Sequence, residues 1–314
     1  MNHVVVIGGT GFLGSHLCRA LLERGDRVTA IDPMGAERAA FRDFGAHPRF
    51  AFRCADITGP GAFSGLGPIT HIAHFVHGGS ASRTPGEMIR AARSGTMAAM
   101  EQAVARGVRI VIVSGAPGRG RTGRRPAVGV NDLEGVRGAA AHIAEMTARR
   151  YPEARVGIAR AFEVYGPRLR PGAGVAATIC AAALRDQTLY LVDDERSFVY
   201  VTDAVAAVVA LLDAEIRGPI DIGGPTVTLS EFARTANALT GGGWVECTPL
   251  TRTASHRNDT DDGAFAQEST TRTPDLTRTF QLLGWLPTTS LHAGVHHTLD
   301  WMRTALRLGE PLLP

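Results

Sequence analysis

Three glycines and one acid near the start of the chain have the types and spacing to do recognisable chemistry. Gly8, Gly11 and Gly14 stand in GGTGFLG, with Phe12 and Leu13 between the last two. Glycines so placed let the backbone turn tightly and approach a diphosphate, whose charge is met by the N–H groups that open a helix. Asp32 follows a second apolar run, residues 28–31. A carboxylate there accepts hydrogen bonds from ribose hydroxyls and repels a 2′-phosphate, so the pattern is that of a dinucleotide site favouring NAD over NADP. A glycine triplet alone also occurs for steric reasons. Here the strand, the helix and the acid stand together where the mechanism needs them.

The elements that must position these residues can be read from periodicity. Residues 3–7 form an apolar run that predicts a buried parallel strand. Leu13, Leu17, Leu21 and Leu22 recur at helical spacing, and Gly25 stands where that helix would stop. Helical spacing follows at 36–44, with apolar strands near 50–53 and at 69–74 and 109–113, and a long helical pattern at 84–106. A helix at 132–150 is capped by Asn131 or Asp132. A strand at 155–159, a helix at 175–185 and a strand at 189–192 come next, then an Ala/Val-rich helix after Asp203. Thr228 and Glu231 give a capping-type helix start. Residues 249–274 are polar and unperiodic, which predicts a loop or flap.

Composition bounds the partners. The chain has 314 residues, 44% of them hydrophobic, enough for a large core and two lobes. Basic and acidic residues number 33 and 30, a net charge of +3 that gives no strong field for nucleic acid. The one basic cluster, at 119–125, lies among Gly and Pro and reads as a solvated loop. Cys18, Cys54, Cys180 and Cys247 are scattered without CxxC spacing, which suits a reducing cytoplasm better than a disulfide frame or a zinc site. No apolar run reaches bilayer-spanning length, and the glycine loop begins too near Met1 for a signal peptide. There is no lysine anywhere in the chain.

The spacing GxxGxxG, taken with four later segments, resembles the extended short-chain dehydrogenase/reductase family. HIAHF at 71–75 resembles its HxAA element, and residues 159–171, ARAFEVYGPRLRP, resemble RxFNVYGP. DDERSFVYVTD at 193–203 matches RDFIYVxD in spacing, and LLGWLPTTSL at 282–291 resembles LGWxPxxxLxxG. Residues 219–224 also resemble an xxNIGGG strand, with Asp221 for Asn. The likeness extends over essentially the whole chain, and the nearest branch is the nucleotide-sugar epimerases, dehydratases and decarboxylases. It implies an α/β fold: a Rossmann-like doubly wound parallel sheet over 1–166, joined by about 198–222, and a smaller substrate-binding lobe over 167–314. It also implies NAD as cofactor, a small-molecule substrate, and a cytoplasmic homodimer without membrane or nucleic-acid partners. Asp56 and Ile57 would line the adenine pocket, unless Asp56 caps a turn. Ile72, Ala73 and His74 would run along the diphosphate, with His74 in place of a small residue. Ala92 stands where the family has Asn, ahead of Gly95 and Thr96.

The same resemblance implies a Ser or Thr, a Tyr and a Lys that together move a proton, the Lys lowering the phenol pKa from near 10. Flanking residues align Gly115, Arg137 and Ala141 with those positions, and no lysine exists to fill the last. Glu163, in place of the Asn of RxFNVYGP, is the first candidate base, or else simply pairs with Arg137 or Arg168. Ser114, one position early, and His74, His77 and His142 are further candidates. Arg196 is the expected grip on a substrate diphosphate, or a partner of Asp194 or Glu195. Arg168 is a weaker candidate for that grip, and Tyr165 either borders the substrate or packs in its turn. Three readings follow: an NAD-using sugar-nucleotide enzyme with substituted acid–base chemistry, a non-redox isomerase, lyase or cyclase on the same scaffold, or a catalytically silent NAD-binding protein.

Overall fold

The apolar run at the N-terminus is buried on both faces, and that burial makes it the centre of a sheet. In the computed structural model, which describes residues 1–33, 38–76, 84–115, 133–169, 174–242, 244–249 and 273–308, the elements run in the following order. The first half comprises β1 (His3–Ile7), α1 (Phe12–Glu23), β2 (Arg27–Asp32), a 3₁₀ turn (Arg38–Phe41), β3 (Phe50–Cys54), β4 (His71–Phe75), α2 (Pro85–Arg106), β5 (Arg109–Gly115), α3 (Leu133–Ala148) and β6 (Val156–Ala161). The second half comprises β7 (Glu163–Tyr165), α4 (Val175–Leu184), β8 (Thr188–Asp193), β9 (Glu195–Tyr200), α5 (Val201–Asp213), β10 (Gly218–Ile222), β11 (Thr226–Thr228), α6 (Leu229–Thr240), β12 (Trp244–Pro249), α7 (Leu276–Leu283) and α8 (Leu291–Arg307).

Seven strands form one sheet in the order β10-β6-β5-β4-β1-β2-β3. All its pairings are parallel, as in β1 with β2 (Val4 opposite Val28) and β1 with β4 (Ile7 opposite His74). Side chains alternate between two cores. Val4, Val6, Val28 and Ala30 face Leu17 and Leu21 of α1 and Val205, Val208 and Leu211 of α5. Val5, Ile7, Ile72, Ile110 and Ile112 face Ala99, Met100 and Ala103 of α2 and Ala140, Ala144 and Ala148 of α3. Each fully buried Leu or Ile contributes about 1.5–3 kcal/mol. Thr84 caps α2, its hydroxyl accepting from Glu87 N–H while the Glu87 carboxylate accepts from Thr84 N–H, and Pro85 opens the first turn.

The smaller sheets, β11-β9-β7 and β12-β8, lie among α4, α6 and α8. The chain then returns to the large sheet through α5 and β10. Phe198, Val199 and Tyr200 belong to β9 in the three-stranded sheet, so the return starts at Val201. Arg109 fastens it. Its guanidinium is 1% exposed and donates to the carbonyls of Leu211 (3.1 and 3.0 Å) and Ile216 (2.7 Å), meeting the unsatisfied end of α5. Strands β7, β11 and β12 are too short or too mixed to show in the periodicity. The helical stretch expected at 36–44 forms, in its described part, only the 3₁₀ turn. The expected flap at 249–274, the Arg119–125 cluster, His77 and the cap Asn131 or Asp132 lie outside the described residues, apart from the ends of the flap at Pro249, Thr273 and Pro274.

Candidate functional site

The strand order reverses between β1 and β4, so a crevice opens at their carboxyl ends, the usual ligand position in an open parallel sheet. GGTGFLG lies at its rim. Gly8 has φ +84°, and a Cβ on it would stand 3.1 Å from the Phe75 Cβ at the end of β4. A Cβ on Gly14 would lie 2.1 Å from the Gly8 carbonyl oxygen, so α1 can rest on the loop only without a side chain there. Gly11 is the N-cap and, having no side chain, makes no capping hydrogen bond to the first turn. The opening N–H groups of α1, from Phe12, Leu13 and Gly14, are thus offered to an anion. Asp32 is 7% exposed, and its Oδ2 accepts from the Thr10 N–H at 3.3 Å. Loop and acid are one assembly, which fits a dinucleotide.

Around that loop the expected residues divide. Ile72 and Ala73 are fully buried in opposite cores, so only their backbone borders the crevice. Asp56 is exposed, and its Oδ1 accepts from the Thr58 N–H (2.8 Å) and hydroxyl (2.7 Å), the turn-capping arrangement. Ile57 is half-buried against the α2-side core. His74 is buried beside Thr96, its Nε2 3.2 Å from Oγ1, and burial pushes its pKa down to about 4.

The aligned acid–base positions lie along β5 and α3. Gly115 ends β5 opposite Ala161, Arg137 is half-buried, and Ala141 is fully buried. Arg137, Ala141 and Glu145 fall on one stripe of α3 by their spacing. Glu145 takes both Nε (2.7 Å) and Nη2 (2.6 Å) of Arg160, and the Ser114 hydroxyl donates to its Oε1 at 3.3 Å. Ser114 is therefore joined to Glu145 and Arg160, with its hydroxyl turned to the Glu145 carboxylate. His142 lies on the exposed side of α3.

Two expected residues do meet. On adjacent parallel strands, Glu163 of β7 accepts from Arg196 Nη1 of β9 at 3.1 Å, and Arg196 Nε lies 3.4 Å from Asp194 Oδ2. The Glu163 side chain keeps 34% exposure. Two others lie apart from this pair. Arg168 donates to Asp43 Oδ2 (2.5 Å) and to the Ala40 carbonyl (3.1 Å), tying the exit from β7 to the turn after β2. Beside it, His16 of α1 hydrogen-bonds the Pro167 carbonyl at 2.9 Å. Tyr165 is core: its ring packs edge-on to Phe198, Tyr200 and Phe232, and a Cβ on Gly294 of α8 would come 2.2 Å from its hydroxyl. Burial pushes that phenol above its ordinary pKa. Thr96 was the partner missed in the sequence, although its place beside Gly95 was visible. Among the described residues no group of three or more His, Cys, Asp or Glu side chains gathers as a metal site, and no helix is long and apolar enough to cross a membrane.

Comparison with known proteins agrees with this geometry. The model of the NAD dependent epimerase/dehydratase family matches residues 4–223. UDP-glucuronic acid decarboxylase 2 of Arabidopsis thaliana is 30% identical over 311 residues, covering 93% of this chain and 66% of that relative. Decarboxylase 6 of the same plant is 29% identical over 327 residues, covering 98% and 90%. Among solved structures, a Bacillus cereus UDP-glucuronic acid 4-epimerase in complex with UDP-glucuronic acid and NAD superimposes with TM-score 0.78 at 23% identity, covering 96% of this chain and 99% of that one. A dTDP-glucose 4,6-dehydratase of Bacillus anthracis in complex with NAD gives 0.79 at 17%, covering 99% and 100%. At these identities the structures speak for the fold.

Proposed function

The chain belongs to the NAD dependent epimerase/dehydratase family, and from that premise we propose that it is an enzyme acting on a nucleotide-sugar or a related sugar-like substrate, with Glu163 as its acid–base group. The observation that carries the reading is the Glu163–Arg196 pair, half open to solvent on the strands that leave the cofactor sheet. Gly8, Gly11, Gly14 and the opening turn of α1 hold the diphosphate of NAD, and Asp32 takes the adenosine ribose. NAD supplies reversible acceptance of a hydride. Glu163 takes the proton of a substrate hydroxyl on its carboxylate and returns it at the end of the cycle. Arg196 orients that carboxylate through its hydrogen bond and meets the substrate's phosphate oxygens with its guanidinium. Arg137, which the flanking residues set against the family's Tyr, offers a guanidinium in place of a phenol.

A second reading is a catalytically silent NAD-binding protein, favoured by Gly115, Arg137 and Ala141 together. A homodimer in the cytoplasm completes the proposal; the partly exposed Val104 and Met146 on the packed pair α2 and α3 support it. Mass spectrometry of the nucleotides and sugars that copurify identifies the substrate class to assay. On that substrate, Glu163→Gln lowers kcat by 10²–10⁴ while NAD affinity and melting temperature hold. Arg196→Ala weakens substrate binding by about 2–5 kcal/mol and spares NAD. Unchanged kcat in Glu163→Gln removes Glu163 from the chemistry, and an absence of turnover on every copurifying sugar nucleotide favours the silent reading.

A further inference from the structure

His74, the penultimate residue of β4, carries an imidazole whose surroundings decide where the ring keeps its proton. The ring is 4% exposed and stays neutral near pH 7, since burial disfavours its charged form. A neutral imidazole carries one N–H and one bare nitrogen. Nε2 faces the Thr96 hydroxyl at 3.2 Å, and Thr96 is itself fully buried with no other hydroxyl partner among the described residues. Nδ1 is buried with no hydrogen-bond partner among the described residues. Were the proton on Nε2, it would point at Oγ1, leaving the Thr96 hydroxyl hydrogen and a bare Nδ1 both unmatched. With the proton on Nδ1, Thr96 donates to Nε2 and only Nδ1–H is unmatched. One buried orphan is cheaper than two, so the second tautomer prevails.

That lone donor has a telling position. His74 is opposite Ile7, the last residue of β1, and precedes Phe75, which borders Gly8. Its Cε1 lies beside Gly95 of α2, with Ile57 on the same glycine. A Cβ there would meet Ile57 at 3.6 Å and His74 at 3.7 Å, ordinary contact distances, so the glycine leaves room for a methyl-sized group beside the ring.

We propose that His74 Nδ1–H donates a hydrogen bond to an oxygen of the bound dinucleotide, on its diphosphate or a ribose, and that Thr96 is the positioning residue that fixes the tautomer. This rests on the dinucleotide reading of the glycine loop and adds the α2 side of the crevice to it. It turns an apparent departure, an imidazole where a small side chain is expected, into a cofactor contact.

Two measurements test it. Nitrogen-15 NMR of the histidines in protein freed of nucleotide shows His74 as the Nδ1–H tautomer, and added NAD moves that proton downfield. Calorimetric titration with NAD shows about tenfold weaker binding by His74→Phe, with partial recovery in His74→Asn, whose amide restores a donor. An Nε2–H tautomer in the native protein, or His74→Phe binding NAD as tightly as the native chain, overturns the proposal while leaving the dinucleotide site standing. A native chain that takes up no NAD overturns both. The NMR result needs no variant and decides the matter even if His74→Phe fails to fold.

Discussion

At Asp32 a carboxylate is held at the rim of the crevice by the backbone of the loop it serves. A 2′-phosphate would meet that charge at close range, so the protein binds NAD(H) more tightly than NADP(H); equal or tighter NADP binding in parallel titrations would remove Asp32 from the ribose site. His74 gives a prediction in pH. Its folded value of about 4 lies below the ordinary 6.5, so between those limits the unfolded chain takes up a proton that the folded chain refuses. Stability contributed by the neutral ring is therefore complete above about pH 6.5 and lost as pH falls toward 4. At 1.36 kcal/mol per unit the loss is on the order of 3 kcal/mol. Urea midpoints at pH 7 and pH 4.5 fall less for His74→Phe than for the native chain, and identical falls would show that the ring is not buried neutral. Residues such as Asp32 were legible because strand and acid are adjacent in sequence. The contacts of Arg168 with Asp43 and of Tyr165 with Phe232 were not legible, because these partners come from distant elements and leave no local trace.

Among the elements, β1 and α1 were the most legible, because each has a single period and a glycine at its boundary. Their contact also carries the sharpest steric test. Gly14→Ala puts a methyl group 2.1 Å from the Gly8 oxygen, far inside contact, so either the loop or the first turn of α1 must shift. Expected is a loss of NAD affinity of tenfold or more, read by calorimetry, with far-UV circular dichroism unchanged because Leu17 and Leu21 still anchor the helix. Native affinity in Gly14→Ala would mean that the loop adapts and does not cradle the diphosphate. Strands β7, β9 and β11 were less legible. Their side chains face α4, α6 and α8 in a core built from short segments, where a period of two has no room to repeat. The Glu163–Arg196 pair depends on the parallel register of β7 and β9, Glu163 opposite Phe198, and no periodicity announces a register between strands.

For the whole molecule, the sequence order and the spatial order differ in one consequential place. The large sheet receives its last strand, β10, and one of its covering helices, α5, only after the chain has built β7, α4, β8 and β9. During synthesis, β5 and β6 therefore wait. Until residue 216 has emerged, Val111 and Ala159 lack the full set of α5 side chains on their side of the sheet, and Arg109 lacks one or both of the carbonyls of Leu211 and Ile216 that it grips. The first half of the chain is thus a half-closed book, and the stretch from β7 to β9 is a loop thrown out before the cover returns. A fragment ending at residue 169 carries every glycine of the cofactor loop, yet it should bind a hydrophobic dye and tend to aggregate. Extending it to residue 224 should quench the dye, since α5 then closes over the exposed strands. Nascent-chain protease protection should rise at the same length. The protein's ability to hold a nucleotide is, on this account, timed by the arrival of residues that never touch one.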